Sequence, residues 1–169
     1  MITEIRNGHN VKRFHTTERI REETVGHHSA GVASIILRLD PECSKDILVA
    51  ALMHDVPEAY TGDVPATAKW DHDGLADCLA EMEIAYINGV NIPDVALTVE
   101  EMYLLKLADM LDLVLSSLEE MGRGNQYARQ LVENGQKAIE SMDVSDEIMN
   151  QVGLMVMEVK LSCQPTTIK

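Results

Sequence analysis

Residues 47–65 read Ile47-Leu48-Val49-Ala50-Ala51-Leu52-Met53-His54-Asp55-Val56-Pro57-Glu58-Ala59-Tyr60-Thr61-Gly62-Asp63-Val64-Pro65. An unbroken apolar run, Ile47 to Met53, leads straight into an imidazole and a carboxylate. The run falls short of the ~20 apolar residues that span a bilayer and reads as a buried helical segment. Ser44 is placed to cap its start, the helix is expected to continue to about Tyr60, and Gly62 closes it. Thr61 to Pro65 reads as a loop. Pro57 stands inside the expected helix and predicts a kink just past His54-Asp55.

Working outward, the rest of the chain also reads as helices. A helix is expected from about Gly26 to Leu39, with Val32, Ile35, Ile36 and Leu39 on one face, ended by Pro41. Another is expected from about Asp73 to Asn88, followed by a connection through Pro93. Thr98 with Glu101 fits a capping box that opens a helix to about Met121, its apolar positions including Leu104, Leu107, Leu111, Leu115 and Leu118. Gly122 and Gly124 break that helix, and two more are expected, about Gln126 to Met142 and Ser145 to Leu161. Short connections imply antiparallel neighbours, so the fold class is all-α, a compact helical array. The 169 residues suit one domain over the whole length, 1–169. Aromatics are only 4% of the chain, so Leu, Ile, Val, Ala and ten Met must fill the core. The Met149, Val152, Met155, Val156, Val159 stripe near the C-terminus is core or a subunit interface, core being the commoner fate.

The net charge of −14 argues against a general grip on nucleic-acid polymers or anionic membranes. Met1-Ile2-Thr3-Glu4-Ile5-Arg6 lacks a signal-peptide apolar region. Cys43, Cys78 and Cys163 are far apart and odd in number, which reads as free thiols in a reducing cytoplasm.

Four potential metal ligands fall on expected helices among apolar neighbours: His28, His54, Asp55 and Asp109. A buried ionised carboxylate is costly unless it is paired or binds a metal. Two imidazoles with two carboxylates suit a divalent first-row ion such as Co, Mn, Zn, Ni or Fe. Taken singly, each of the four is more often a satisfied core or surface residue than a ligand. Glu58, four residues after His54 and three after Asp55, shares their surface and is placed to move protons. Asp63 in the following loop shares that work, positions Glu58, or is an ordinary turn residue. Lys12, Arg13, Arg19 and Arg21 cluster in a chain with only fourteen Lys and Arg. With Lys69 they form a candidate anion site for nucleotide phosphates, or a charged segment paired with Glu18, Glu22 and Glu23. Asp112, three residues after Asp109, either faces the same cavity or is polar surface. P-loop, dinucleotide, HExxH and GxSxG patterns are absent.

Taken together, Arg13-Phe14, Glu23-Thr24-Val25-Gly26-His27-His28-Ser29, the His54–Pro65 stretch, Lys69 and Lys106-Leu107-Ala108-Asp109 resemble the HD-domain 5'-deoxynucleotidases. They resemble the short phage-type members most, over roughly residues 10 to 120. The resemblance implies the HD fold, with His28, His54, Asp55 and Asp109 as metal ligands and Glu58 and Asp63 in proton transfer and water positioning. It also implies Arg13 and Lys69 at phosphate-contacting positions. Phe14 stands where the bacterial nucleotidases carry a Trp near the deoxyribose, and His27 where they carry Glu.

The implied activity is metal-dependent hydrolysis of a 2'-deoxynucleotide at the α-phosphate. A triphosphate is the expected substrate, dATP first, with a second Mg or Mn alongside it. The alternative is a deoxynucleoside monophosphate. An alternative of another class is a catalytically inactive nucleotide-binding module, and a cyclic-nucleotide phosphodiesterase is a weaker third. A homo-oligomer acting in the cytoplasm is expected, that of the host if phage-encoded.

Overall fold

The computed structural model describes residues 2–93 and 95–164; among them the regular structure is helical, with one isolated antiparallel bridge between Lys12 and Thr24. Two long helices form the centre. The first, α2 (Val25–Leu39), follows a short N-terminal helix, α1 (Ile2–His9). It starts where Thr24 Oγ1 accepts the His27 N–H and stops at Asp40, next to Pro41. The second, α7 (Val99–Gly122), opens on the expected capping box. The Glu101 N–H donates to Thr98 Oγ1 at 3.2 Å, and the Thr98 N–H donates to Glu101 Oε2 at 2.9 Å.

The apolar face of α2, Val32, Ile35, Ile36 and Leu39, packs with Leu107, Leu111, Val114 and Leu118 of α7 in one buried cluster. Burial of each large aliphatic side chain contributes about 1.5–3 kcal/mol. Helices α8 (Arg129–Glu140) and α9 (Asp146–Ser162) pack on α7 and close this core. Val152 and Met155 are buried, and Met149, Val156 and Val159 are packed against the same cluster. The C-terminal stripe is therefore core, while Leu154, Met157 and Leu161 of the same helix lie exposed.

Between the long helices the chain departs from the expected single helix Ser44–Tyr60. Helix α3 (Lys45–Met53) ends, residues 54–57 form a turn, and a one-turn helix, α4 (Glu58–Thr61), follows. Pro57 is the cause. It has no N–H for the Met53 carbonyl, and its ring crowds that oxygen. The Val56 N–H donates to Met53 O instead, at 3.0 Å, and Glu58 N–H donates to Asp55 O at 3.0 Å. This i to i+3 tightening keeps Asp55 and Glu58 on one side of the turn. Gly8 of α1 lets the N-terminal helix lie directly against the turn: a Cβ there would stand 2.5 Å from the Val56 carbonyl oxygen.

Smaller differences follow. Helix α5 (Ala66–Asp71) and α1 were not expected. The expected 73–88 helix is α6 (Leu75–Val90), closed by Asn91 at φ 55. The expected Gln126–Met142 helix begins as a 3-10 turn, Gln126–Ala128, before α8. Among the described residues no helix is long and apolar enough to cross a membrane.

Leu111 is fully buried between the long helices. Replacing it with Ala leaves a cavity in a part of the core with little room to collapse. Urea unfolding should show a loss of about 2–5 kcal/mol with the slope unchanged; a change under about 1 kcal/mol would contradict this packing.

Candidate metal centre

The site lies where α2, the 54–57 turn and α7 meet. His28, on the buried face of α2, is 1% exposed. Its Nε2 is 3.1 Å from Asp109 Oδ1 and 3.6 Å from Asp55 Oδ2. His54 Nε2 is 3.4 Å from Asp55 Oδ1, and the two imidazole centroids are 5.4 Å apart. One ligand atom each from His28, His54 and Asp109 lie within 4.8 Å of one another. The structure thus brings together His28, His54, Asp55 and Asp109 from three separate stretches of chain.

The other nitrogen of each ring is already engaged. His54 Nδ1 is 2.9 Å from the Ala51 carbonyl, which only accepts, so the proton sits on Nδ1 and the Nε2 lone pair is left free. His28 Nδ1 is 2.7 Å from Asp112 Oδ2. His54 Nε2 is buried without a hydrogen-bond partner, and His28 Nε2 meets only the carboxylates of Asp109 and Asp55. Two buried imidazole nitrogens that face carboxylates alone make an arrangement that a divalent ion completes. The residues present fit the mixed N/O ligand set of an open metal site.

The electrostatics agree. Burial alone would push His28 down, but hydrogen bonds to Asp109 and Asp112 outweigh it and raise its pKa to about 9. Burial would push Asp109 up, yet the hydrogen bond from His28 and the charges of His28, His54 and Lys106 hold it well below the usual carboxylate range. Glu58 is buried, with Oε2 unpartnered. Burial first, then the negative charges of Asp55 and Asp63, push it up to about 8 against the opposing pull of Arg13 and Lys69. At neutral pH Glu58 therefore carries a proton.

The remaining candidates sit on the loop before α2. Its base is pinned by Arg13 N–H to Glu23 O and Val25 N–H to Val11 O, at 3.0 and 2.9 Å. Its far side is held by α7, where the fully buried Glu120 accepts the Ile20 and Arg21 N–H groups at 2.7 and 3.1 Å. Asn125 adds a bond to Glu18 O at 2.9 Å. Burial pushes Glu120 up, but these N–H donors and Arg19 keep its carboxyl below its ordinary value.

On this frame Arg13 reaches into the centre, its Nη1 2.9 Å from Asp55 Oδ2 and its Nε 3.3 Å from Glu23 Oε1. Phe14 adopts φ 56, a left-handed conformation that costs a non-glycine residue energy. Its N–H donates to Asp63 Oδ2 at 2.8 Å, so Asp63 holds the loop in that conformation. The Phe14 ring lies under the guanidinium groups of Arg19 at 4.1 Å and Arg13 at 5.4 Å.

Arg19 itself pairs with Glu23 at 3.2 Å and borders a neighbouring cavity with Arg21 and Arg123. Lys12 is exposed and paired with Glu22 at 2.6 Å. Lys69, on α5, acts on Glu58 and Glu83 through its charge. His27 is exposed beside the Thr24 cap. Glu23, offered by the sequence as a partner for the basic cluster, links Arg13 to Arg19. Sequence reasoning missed Glu120, whose partners are backbone amides about 100 residues away and which no local pattern signals.

A family model described as 5'-deoxynucleotidase YfbR-like matches residues 2–92. No curated protein matches the chain. Among solved structures, the chain is similar to the cyanophage S-2L HD phosphohydrolase (DatZ) bound to dA and one catalytic Zn2+ ion. The identity is 16%, the TM-score 0.72, and the coverage 96% of this chain and 97% of that one. It is similar to a conserved hypothetical protein from Pyrococcus furiosus, at 24% identity, TM-score 0.65 and coverage of 95% and 97%. An HD-domain phosphohydrolase from Listeria innocua gives 19% identity, TM-score 0.63 and coverage of 95% and 97%. At these identities the likeness establishes the fold, the HD helical array.

With its pKa near 9, His28 holds a proton at neutral pH that an ion at Nε2 must displace. Metal titration of the apo-protein at pH 7 should release about one proton, counted by calorimetry in buffers of different ionisation enthalpy. Affinity should rise with pH from 6.5 toward 9. Proton-free binding with a flat pH dependence would show that Nε2 is not a ligand.

Proposed function

This chain belongs to the YfbR-like 5'-deoxynucleotidase family and is a metal-dependent HD phosphohydrolase acting on deoxynucleotides, and on that premise we propose a mechanism and a substrate. The observation that carries the proposal is the pair of buried imidazole Nε2 atoms that meet no protein group but the carboxylates of Asp55 and Asp109. His28, His54, Asp55 and Asp109 would hold one divalent transition ion, which would supply Lewis acidity to the α-phosphoryl group.

Around that ion the chain's own residues divide the work. Water attacks the α-phosphorus in line, and the bond between phosphorus and the 5'-oxygen breaks. Glu58, protonated at neutral pH, gives its proton to the departing 5'-oxygen. Arg13, already charge-paired with Asp55, turns donors toward the phosphoryl oxygens, and Lys69 adds positive charge from α5. Asp63 positions the Arg13-Phe14 backbone. Phe14, with Arg19 stacked on its ring, offers an apolar face to the sugar.

For the leaving side, a deoxynucleoside triphosphate is the first reading, with dATP the preferred base and a second Mg or Mn alongside it. The products are deoxynucleoside and triphosphate. It draws on the likeness to the cyanophage enzyme bound to dA, which spans nearly the whole of both chains. A monophosphate is the second reading, and a specific observation favours it. Lys12 and Arg19 are neutralised by Glu22 and Glu23, which removes two cations from those open to β- and γ-phosphates. A homo-oligomer remains part of the proposal, supported by the exposed Leu154, Met157 and Leu161 of α9, and a cytoplasmic location is proposed from the free thiols Cys43, Cys78 and Cys163.

Incubation of dAMP and dATP with the Mn- or Co-loaded enzyme separates the two readings. Triphosphate released with deoxyadenosine supports the first; phosphate released from dAMP alone overturns it. In either assay Glu58→Gln should lower kcat by about 10²–10⁴-fold while retaining metal. Wild-type kcat should fall as pH rises through the Glu58 pKa, because the protonated acid is the active form. An active Glu58→Gln enzyme with the same pH profile would remove Glu58 from proton transfer.

A further inference from the structure

Asp112 lies one helical turn after Asp109 on α7, and the steps above do not use it. Its Oδ2 accepts from Nδ1–H of His28 at 2.7 Å, on the opposite side of the ring from Asp109. The imidazole is thus gripped from both ends by carboxylates of one helix. A proton fixed on Nδ1 leaves the Nε2 lone pair as the donor, and the short contact also sets the ring's rotation.

The neighbouring helix is shaped for this carboxylate. Gly31 stands three residues after His28 on α2, and a methyl group built there would overlap Asp112 Oδ1, with Cγ at 2.8 Å. All three of the nearest atoms to that methyl belong to Asp112. The missing side chain at position 31 is therefore the space that Asp112 occupies. The same wall borders a cavity of about 370 Å³ reached by His28, Gly31, Ser34, Asp112 and Ser116.

We propose that Asp112, seated by Gly31, is a positioning residue of the metal centre that holds the His28 ring in its Nδ1–H form with Nε2 directed at Asp109 and Asp55. The inference rests on the reading that His28, His54, Asp55 and Asp109 hold an ion. It assigns a specific task to a residue outside that ligand set, and to a glycine on the facing helix.

The test is zinc binding without substrate, by competition with a chromophoric chelator, on folded wild type, Asp112→Ala, Gly31→Ala and the double variant. Asp112→Ala should weaken zinc by about 10–100-fold at unchanged stoichiometry, and added formate, admitted through the cavity, should restore part of it. Gly31→Ala should produce a comparable loss alone but almost none in the Asp112→Ala background, since the atom it collides with is gone. Nitrogen-15 spectra of the zinc-loaded protein should show His28 with its proton on Nδ1 in the wild type, and that Nδ1–H signal shifted or lost in Asp112→Ala.

Wild-type affinity in folded Asp112→Ala, or an undiminished Gly31→Ala loss in the double variant, overturns the inference. Should Asp112→Ala fail to fold, Asp112→Asn decides. The neutral amide accepts more weakly, so a folded Asn variant with wild-type zinc affinity also overturns it. A wild-type protein that binds no zinc overturns the metal-site reading and this inference together, whereas equal binding by wild type and Asp112→Ala overturns this inference alone.

Discussion

The structure depends on one electrostatic constraint: ionisable donors are gathered where water is largely excluded. His28 is buried on a mostly apolar helix face, and its ring is held between Asp109 and Asp112 of α7. A buried charge that loses its partner destabilises by several kcal/mol, on the order of 3–5. Neither α2 nor α7 can slide or rotate without separating the imidazole from its carboxylates. The apolar packing of Ile36, Leu107 and Leu111 stabilises the helix pair, and the polar contacts select its register. The proline-tightened turn at 54–57 then presents His54 and Asp55 to the same point.

A second buried carboxylate performs the corresponding task for the loop. Glu120 has no water to solvate it and takes backbone N–H groups of Ile20 and Arg21 instead, with Asn125 as a further donor. Hydrogen bonds to a charged group contribute about 1.5–3 kcal/mol each. They order a segment that has little apolar surface to bury. That order has a functional consequence, because the same segment carries Arg13 to Asp55 and stretches Phe14 into its left-handed conformation over Asp63. Core, loop and site are therefore coupled through α7, which contributes Asp109, Asp112 and, farther along, Glu120.

The legible part of the sequence was the part written in local rules. Thr98 with Glu101, and Ser44, each cap the helix expected of them. The apolar spacing in α2 and α7 matches the buried faces, and the all-α HD array follows. His28, His54, Asp55 and Asp109 stood out because they interrupt apolar runs, and they lie together in the fold. What was not legible depends on distant partners. The split of the 44–60 helix was foreshadowed by Pro57, but the expected kink is a full break. Glu120 looks like any polar residue near a helix end until Ile20 and Arg21 come to meet it. The pairing of Lys12 with Glu22 and of Arg19 with Glu23 follows the second of the two readings the sequence offered for the basic cluster.

The most direct test of the metal centre is anomalous diffraction at the absorption edge of zinc or cobalt from crystals of the metal-loaded protein. The account predicts one strong peak within bonding distance of His28 Nε2, His54 Nε2 and carboxylate oxygens of Asp55 and Asp109. A strong peak elsewhere on the chain, or none at this convergence, would contradict it.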